Sequence, residues 1–301
     1  MRILLFGKNG QVGWELQRLL APLGELIAVD FPEIDFQDFQ ALRRFTFELK
    51  PNLIVNAAAY TAVDHVETEP DIAMRINGEA PGLLAEIALT LDAGLVHYST
   101  DYVFDGTKGD PYTEDDLPNP LSAYGASKLA GDEAIREAGC AHLVLRTSWV
   151  YGARGKNFFL TMLRLARERE EIQVVDDQIG CPTWSRSIAT VTAQILKCGY
   201  QPELDRIGWD VEIPSGVYNY SSSGSTSWHG FAEEIIRTDP NRDEHVVQRL
   251  VPISTDAFGA AAARPANSEL SKDKLDKAFG IPSEGWREQL KDCWSSYKEL
   301  V

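Results

Sequence analysis

Short apolar runs alternate with amphipathic stretches along the first half of the chain. Ile3 to Phe6 is an apolar run closed by Gly7, the pattern of a strand buried on both faces. From Gln11 to Leu20, the side chains Val12, Leu16, Leu19 and Leu20 share one helical face. Leu26 to Val29 predicts a second strand, ended by Asp30. Phe39, Leu42, Phe45 and Leu49 then recur at helical spacing until Pro51 stops the helix. Leu53 to Val55 predicts a third strand, Ala73 to Leu91 a helix and Leu95 to Ser99 a fourth strand. A helix from about Ser122 to Glu137 precedes the strand Leu143 to Leu145. Apolar strands separated by helices argue for a parallel sheet with right-handed crossovers, a doubly wound α/β fold.

Beyond about Trp149 the alternation loosens. Phe158 to Arg169 and Arg186 to Leu196 read as helices and Ile172 to Val175 as a strand. Val217 to Tyr220, Trp228 to Ile236 and Val246 to Val251 read as further short elements. The expected organisation is a nucleotide-binding domain over 1–150. A smaller, mainly substrate-binding domain over 151–301 returns some segments to the first.

Composition narrows the function classes. The 301 residues are 44% hydrophobic and 25% charged, which suits a folded globular chain rather than a disordered one. No apolar run is long enough to span a bilayer, so no membrane partner is expected. The net charge of −16 repels phosphate backbones and argues against a nucleic-acid partner. Cys140, Cys181, Cys198 and Cys293 show no CxxC spacing, in keeping with reduced thiols in a cytoplasm. The apolar N-terminal stretch is too short for a signal peptide and reads as the first strand.

The candidate chemistry begins at Gly7-Lys8-Asn9-Gly10-Gln11-Val12-Gly13, three glycines at a strand-to-helix turn. Such a turn lets the backbone approach a pyrophosphate, whose charge then sits on the free N–H groups of the helix. The spacing departs from GxGxxG. Asp30, at the end of strand two, suits an adenosine ribose and opposes a 2′-phosphate, or is a surface strand-end aspartate. Asp35 and Phe36 are placed to flank an adenine, or are a loop residue beside a core aromatic. Tyr124 and Lys128 lie four apart on one helix face, where an ammonium would lower the phenol's pKa and make it an acid–base group. Thr100 follows the fourth strand, at the sheet edge where open α/β folds bind ligands, or caps a turn.

Five segments in order, GKNGQVG, NAAAYTAVD (Asn56 to Asp64), STDYVFDG (Ser99 to Gly106), YGASK (Tyr124 to Lys128) and RTSWVYG (Arg146 to Gly152), resemble the extended short-chain dehydrogenase/reductases. The resemblance continues through DQIGCPT (Asp176 to Thr183), Trp228-His229 and RPANSEL (Arg264 to Leu270), covering nearly the whole chain. It implies a Rossmann-type sheet and reduction of the 4-keto group of dTDP-4-dehydro-β-L-rhamnose by NADPH or NADH. Tyr124 would then donate the proton, Lys128 would hold the nicotinamide ribose and Thr100 would complete the triad. Gly7, Gly10, Gln11 and Val12 would hold the pyrophosphate, while Asp30, Asp35 and Phe36 would flank the adenosine. Ala57, Ala58, Ala59, Tyr60, Thr61 and Tyr98 would line the cofactor channel. Asp101 and Trp149 would meet the sugar, although a Trp at that place is equally a core residue. Arg264 would reach the diphosphate or form a structural salt bridge. The resemblance also implies a homodimer bridged by Mg²⁺ with Glu15 at the matching position, which by itself reads as a solvated helix carboxylate.

Three competing readings stay open. A dehydratase or epimerase on the same scaffold is disfavoured because Tyr102 stands where dehydration needs a second acid beside Asp101. A non-catalytic NAD(P)-binding regulatory subunit would be expected to lack the triad, which is present here. Another deoxysugar 4-ketoreductase would differ only in pocket shape.

Overall fold

The computed structural model describes residues 1–204, 206–210 and 212–299. The chain opens with β1 (Arg2–Phe6), α1 (Gln11–Leu20), β2 (Glu25–Val29), α2 (Phe39–Leu49) and β3 (Leu53–Asn56). It continues with α3 (Ala80–Leu91), β4 (Gly94–Thr100), α4 (Ala123–Ala138) and β5 (His142–Thr147). The second half carries α5 (Phe158–Glu168), β6 (Glu171–Val175), α6 (Ser185–Gly199) and β7 (Gly216–Asn219). It ends with α7 (Trp228–Thr238), β8 (Arg249–Ile253) and α8 (Trp286–Lys298). No helix among the described residues is long and apolar enough to cross a membrane.

One six-stranded sheet, in the order β7-β5-β4-β3-β1-β2, organises the molecule, and every pair in it is parallel. Ile3, Leu4, Leu5 and Phe6 of β1 are wholly buried because helices cover both faces. On one face α1 and α6 pack against Ile3, Leu5 and Val55. On the other, α2 and α3 pack against Leu4, Phe6 and Ile54. Local signals set the helix ends. Asp38 caps α2 by accepting from the Gln40 and Ala41 amides, and Ser122 caps α4 by accepting from Gly125. Gly139 ends α4 at φ 71°.

Two departures from the pattern-based expectation bear on the site. The stretch expected as one helix from Ala73 is broken into Pro70–Ala73, a π-helical turn Met74–Glu79 and α3. That turn directs Asn77 at α4, where a Cβ on Gly131 would lie 2.3 Å from the Asn77 carbonyl oxygen. The short element expected over Val246 to Val251 forms as the strand β8, set at Arg249–Ile253 by its parallel pairing with β6. A separate aromatic core around Tyr151, Phe159, Trp184, Phe231, Trp286 and Trp294 holds the rest of the second half together.

Candidate active site

Because β2 leaves β1 on one side and β3 on the other, the carboxyl ends of β1 and β3 frame a crevice at the point where strand order reverses. Gly7 turns there at φ 83°, and a Cβ on it would lie 2.5 Å from the Ala57 carbonyl carbon. A Cβ on Gly13 would lie 1.9 Å from the Gly7 carbonyl oxygen. Both glycines are needed so that α1 can start directly above the turn. Gly10 is the N-cap of α1 with no side-chain cap, which leaves the first helical N–H groups free for an anion.

The crevice encloses about 310 Å³ and is lined by Gly7, Gly10, Asp30, Asp35, Phe36 and Ala57 to Tyr60, among others. The Asp30 carboxylate accepts from the amides of Asn9 and Phe31, each at 2.8 Å, which fixes it at the mouth. The glycine cradle, the uncapped helix and the fixed carboxylate fit a dinucleotide. Phe36 takes the core-aromatic alternative while still lining the crevice. It is 7% exposed, with its ring edge-on to Phe6, so it forms the floor of the crevice. The exposed aromatic there is Phe31. Thr61 is exposed beyond the lining residues. The Gln11 side chain turns away to Asn157, and Val12 packs into the α1–α6 layer.

Tyr124, Lys128 and Asp132 follow one another down a single face of α4. Asn77 joins this helix to the crevice: it pairs with the Tyr60 amide and carbonyl and donates to Ser127 Oγ. Lys128 is buried; its Nζ donates to the Tyr98 carbonyl at 2.6 Å and lies 3.1 Å from His97 Nε2. Burial lowers its pKa to about 8, against the pull of Asp132. The Tyr98 phenol leaves the crevice for Thr192 on α6, at 2.9 Å, so Tyr98 serves this corner through its backbone carbonyl.

Thr100 lies between two partners. Its hydroxyl donates to Asp101 Oδ1 at 3.0 Å and sits close enough to the Tyr124 phenol to offset part of that phenol's rise in pKa. Asp101 also accepts from Ser148 at 3.2 Å, and burial raises its pKa to about 6. The Tyr124 phenol departs from the expectation that Lys128 would lower its pKa. Burial and the Asp101 carboxylate push it up, and Lys128 Nζ is directed at Tyr98 and His97 instead. The resting side chain is therefore a firmly protonated phenol.

Trp149, at φ 48°, stacks its indole on Trp228 with centroids 3.5 Å apart and planes 5° apart. Gly180 packs beside it, where a Cβ would lie 2.4 Å from the indole. Arg264 takes the salt-bridge alternative, with Nη2 2.8 Å from Asp64 Oδ2. Glu15 does not fit a metal bridge: Arg186 on α6 holds it at 2.9 Å, and that cation opposes a divalent ion. Among the described residues no group of three His, Cys, Asp or Glu side chains is placed to hold a metal.

Sequence reasoning missed Asn56, Asn77, His97, Asp132 and Arg146. For Asn56, His97 and Arg146 the available signal was a polar residue inside or ending an otherwise apolar strand, and for Asp132 an acid four residues after Lys128; Asn77, in a helical turn, left none.

The sheet order, the crevice and the Thr-Tyr-Lys corner define a Rossmann-type oxidoreductase scaffold of the extended short-chain dehydrogenase/reductase class. The chain matches the RmlD substrate binding domain family over residues 1–299. It is 49% identical to the dTDP-4-dehydrorhamnose reductase of Burkholderia thailandensis, over 97% of this chain and 98% of that one. It is 40% identical to the dTDP-4-dehydrorhamnose reductase of Escherichia coli strain K12, over 97% and 96%. A crystal structure of dTDP-4-dehydrorhamnose reductase from Bacillus anthracis in complex with NADP superposes with a TM-score of 0.86 at 35% identity, covering 98% and 99%. The chain belongs to the RmlD substrate binding domain family.

Proposed function

We propose that this protein reduces the 4-keto group of dTDP-4-dehydro-β-L-rhamnose to give dTDP-L-rhamnose, with NADPH or NADH as reductant. The observation that supports the reading is that Thr100 lies beside Tyr124, that Tyr124 and Lys128 share one face of α4, and that Asn77 joins this helix to the crevice residue Tyr60. The strong likeness to a reductase of that name supports the choice of sugar.

When bound, the nicotinamide supplies hydride to the sugar's carbonyl carbon. The Tyr124 phenol gives its proton to the carbonyl oxygen as that oxygen becomes an alkoxide, a stronger base than the phenolate left behind. The Thr100 hydroxyl, which donates to Asp101 at rest, turns that proton to the same oxygen to steady it. Lys128, anchored on the Tyr98 carbonyl, holds the ribose and offers its charge to the phenolate. The first N–H groups of α1 take the pyrophosphate, and Asp30 takes the adenosine ribose. The stacked Trp149 and Trp228 give the deoxyhexose an apolar wall. A cavity of about 320 Å³ between Phe158, Met162, Val175, Trp228 and Arg264 offers room for the nucleotide.

In this reading the part after residue 150 covers the substrate while 1–150 holds the dinucleotide. A cytoplasmic setting belongs to it, supported by four free cysteines. A homodimer belongs to it as well, checked by light scattering. The test of activity mixes the purified protein with dTDP-4-dehydrorhamnose and NADPH or NADH and follows reduced-nicotinamide absorbance. Consumption that requires this sugar is expected. No consumption with either reductant would overturn the proposal.

A further inference from the structure

A buried chain of hydrogen bonds ends at Lys128 and has a direction. The Ala58 amide donates to Asn56 Oδ1 at 3.1 Å, so the Asn56 amide presents its Nδ2–H groups to His97 Nδ1, also at 3.1 Å. His97 Nδ1 is therefore an acceptor. A neutral imidazole that accepts at one nitrogen carries its proton on the other, and His97 Nε2 lies 3.1 Å from Lys128 Nζ. Asn56 and His97 are both 1% exposed, so no solvent exchange relaxes this order.

We propose that Asn56 and His97 are positioning residues that set the protonation of Lys128: the chain from Ala58 presents Nε2–H to Nζ and favours the neutral amine there. An ammonium would set one N–H against another. Its accommodation requires reversing the His97 tautomer, which in turn faces the Asn56 donor. The inference deepens the reductase reading and rests on it for its kinetic consequence alone.

Every element packed on Lys128 contributes to the balance. β4 supplies the Tyr98 carbonyl and His97; β3 supplies Asn56 behind the ring. On α4, Tyr124 lies one turn before and Asp132 one turn after. Asp132 favours the ammonium, but Arg146 of β5 already occupies it at 3.1 Å. Burial and the nearby Lys128 hold His97 well below its ordinary pKa, in keeping with a neutral ring.

The test is NMR on protein labelled with ¹³C and ¹⁵N, with His97 assigned by its loss in His97→Gln. In the wild type, His97 is expected to stay a neutral ring from pH 5.5 to 9 and to carry its proton on Nε2 at pH 9, where Lys128 is mostly the free amine. Finding Nδ1–H at pH 9, or an imidazolium that titrates anywhere in that range, would overturn the inference without any variant. In Asn56→Asp the carboxylate accepts from Nδ1–H, the tautomer reverses and Nε2 becomes an acceptor. The Lys128 ¹⁵Nζ titration should then rise by at least about one pH unit, and the alkaline limb of kcat with it. An unmoved Lys128 titration beside a reversed tautomer would sink the proposal. A moved titration with an unmoved kcat limb would uphold it and count against Lys128's role in the reductase reading.

Discussion

Arg146 on β5 reaches across to Asp132 on α4, Nε to Oδ2 at 3.1 Å, with both side chains at most 6% exposed. Ser99 of β4 donates to the same carboxylate oxygen at 2.9 Å. Asp132 stands one helical turn below Lys128, which stands one turn below Tyr124. The pair thus clamps the helix that carries the chemistry onto the two strands beneath it. Burying two ions gains little net stability by itself, but leaving one of them unpaired is costly.

The pair therefore predicts an asymmetry. Asp132→Ala should lose about 3–5 kcal/mol of folding stability, because Arg146 is left as an uncompensated buried cation. The double variant Asp132→Leu with Arg146→Met should lose much less. Guanidinium denaturation of wild type, both singles and the double measures the coupling. Additive losses would remove the clamp.

Replacing Tyr124 by Phe deletes the proton donor and leaves the ring's edge-on packing against Tyr102, 5.8 Å between centroids, in place. Turnover should fall by about 10²-fold or more, with KM for the dinucleotide and the melting temperature nearly unchanged. Near-normal turnover would take the phenol out of the reaction.

The elements of the sheet and the glycine turn were legible because they depend on local spacing. Ile3 to Phe6 reads as a buried strand because the apolar run is short and Gly7 closes it, and Tyr124 and Lys128, four apart in a helix, share its face. Orientation was not legible. The Lys128 ammonium turns to Tyr98 and His97, and no spacing rule separates that choice from the phenol beside it. Phe31 and Phe36 illustrate the same limit. Both follow β2, and only the packing of Phe6 decides which ring is the floor and which stays exposed. The Glu15–Arg186 pair joins residues from α1 and α6, far apart in the chain, and so left no local trace.

The buried Lys128 makes stability depend on pH in a definite direction. Its pKa falls from 10.5 to about 8 on folding, so between those values the unfolded chain binds more protons than the folded one. Stability contributed by this group therefore rises with pH across that window, and the cost of burying the ammonium is full below about pH 8. Lys128→Met removes that cost, on the order of 3 kcal/mol, while abolishing turnover. The variant should be more stable than wild type at pH 7, and its advantage should shrink by pH 9.5. Denaturation midpoints at the two pH values decide it; an advantage that stayed constant would mean the ammonium is not what is being relieved.

At the adenosine end the charges oppose one another. The Asp30 carboxylate faces the crevice mouth, where it suits ribose hydroxyls and repels a 2′-phosphate, while the Lys8 ammonium beside it is held by Glu33 at 2.7 Å. Asp30→Ala removes an acceptor that the ribose of NADH uses and a charge that NADPH must overcome. KM for NADH should therefore rise several-fold while that for NADPH rises less or falls. Glu33→Gln, by freeing Lys8, should lower KM for NADPH alone, and raising the salt concentration should erase that gain because the ammonium is solvent-facing. Equal changes for both dinucleotides in Asp30→Ala would mean that the carboxylate serves only to hold the Asn9 and Phe31 amides, 2.8 Å away, and that cofactor choice is made elsewhere along the crevice.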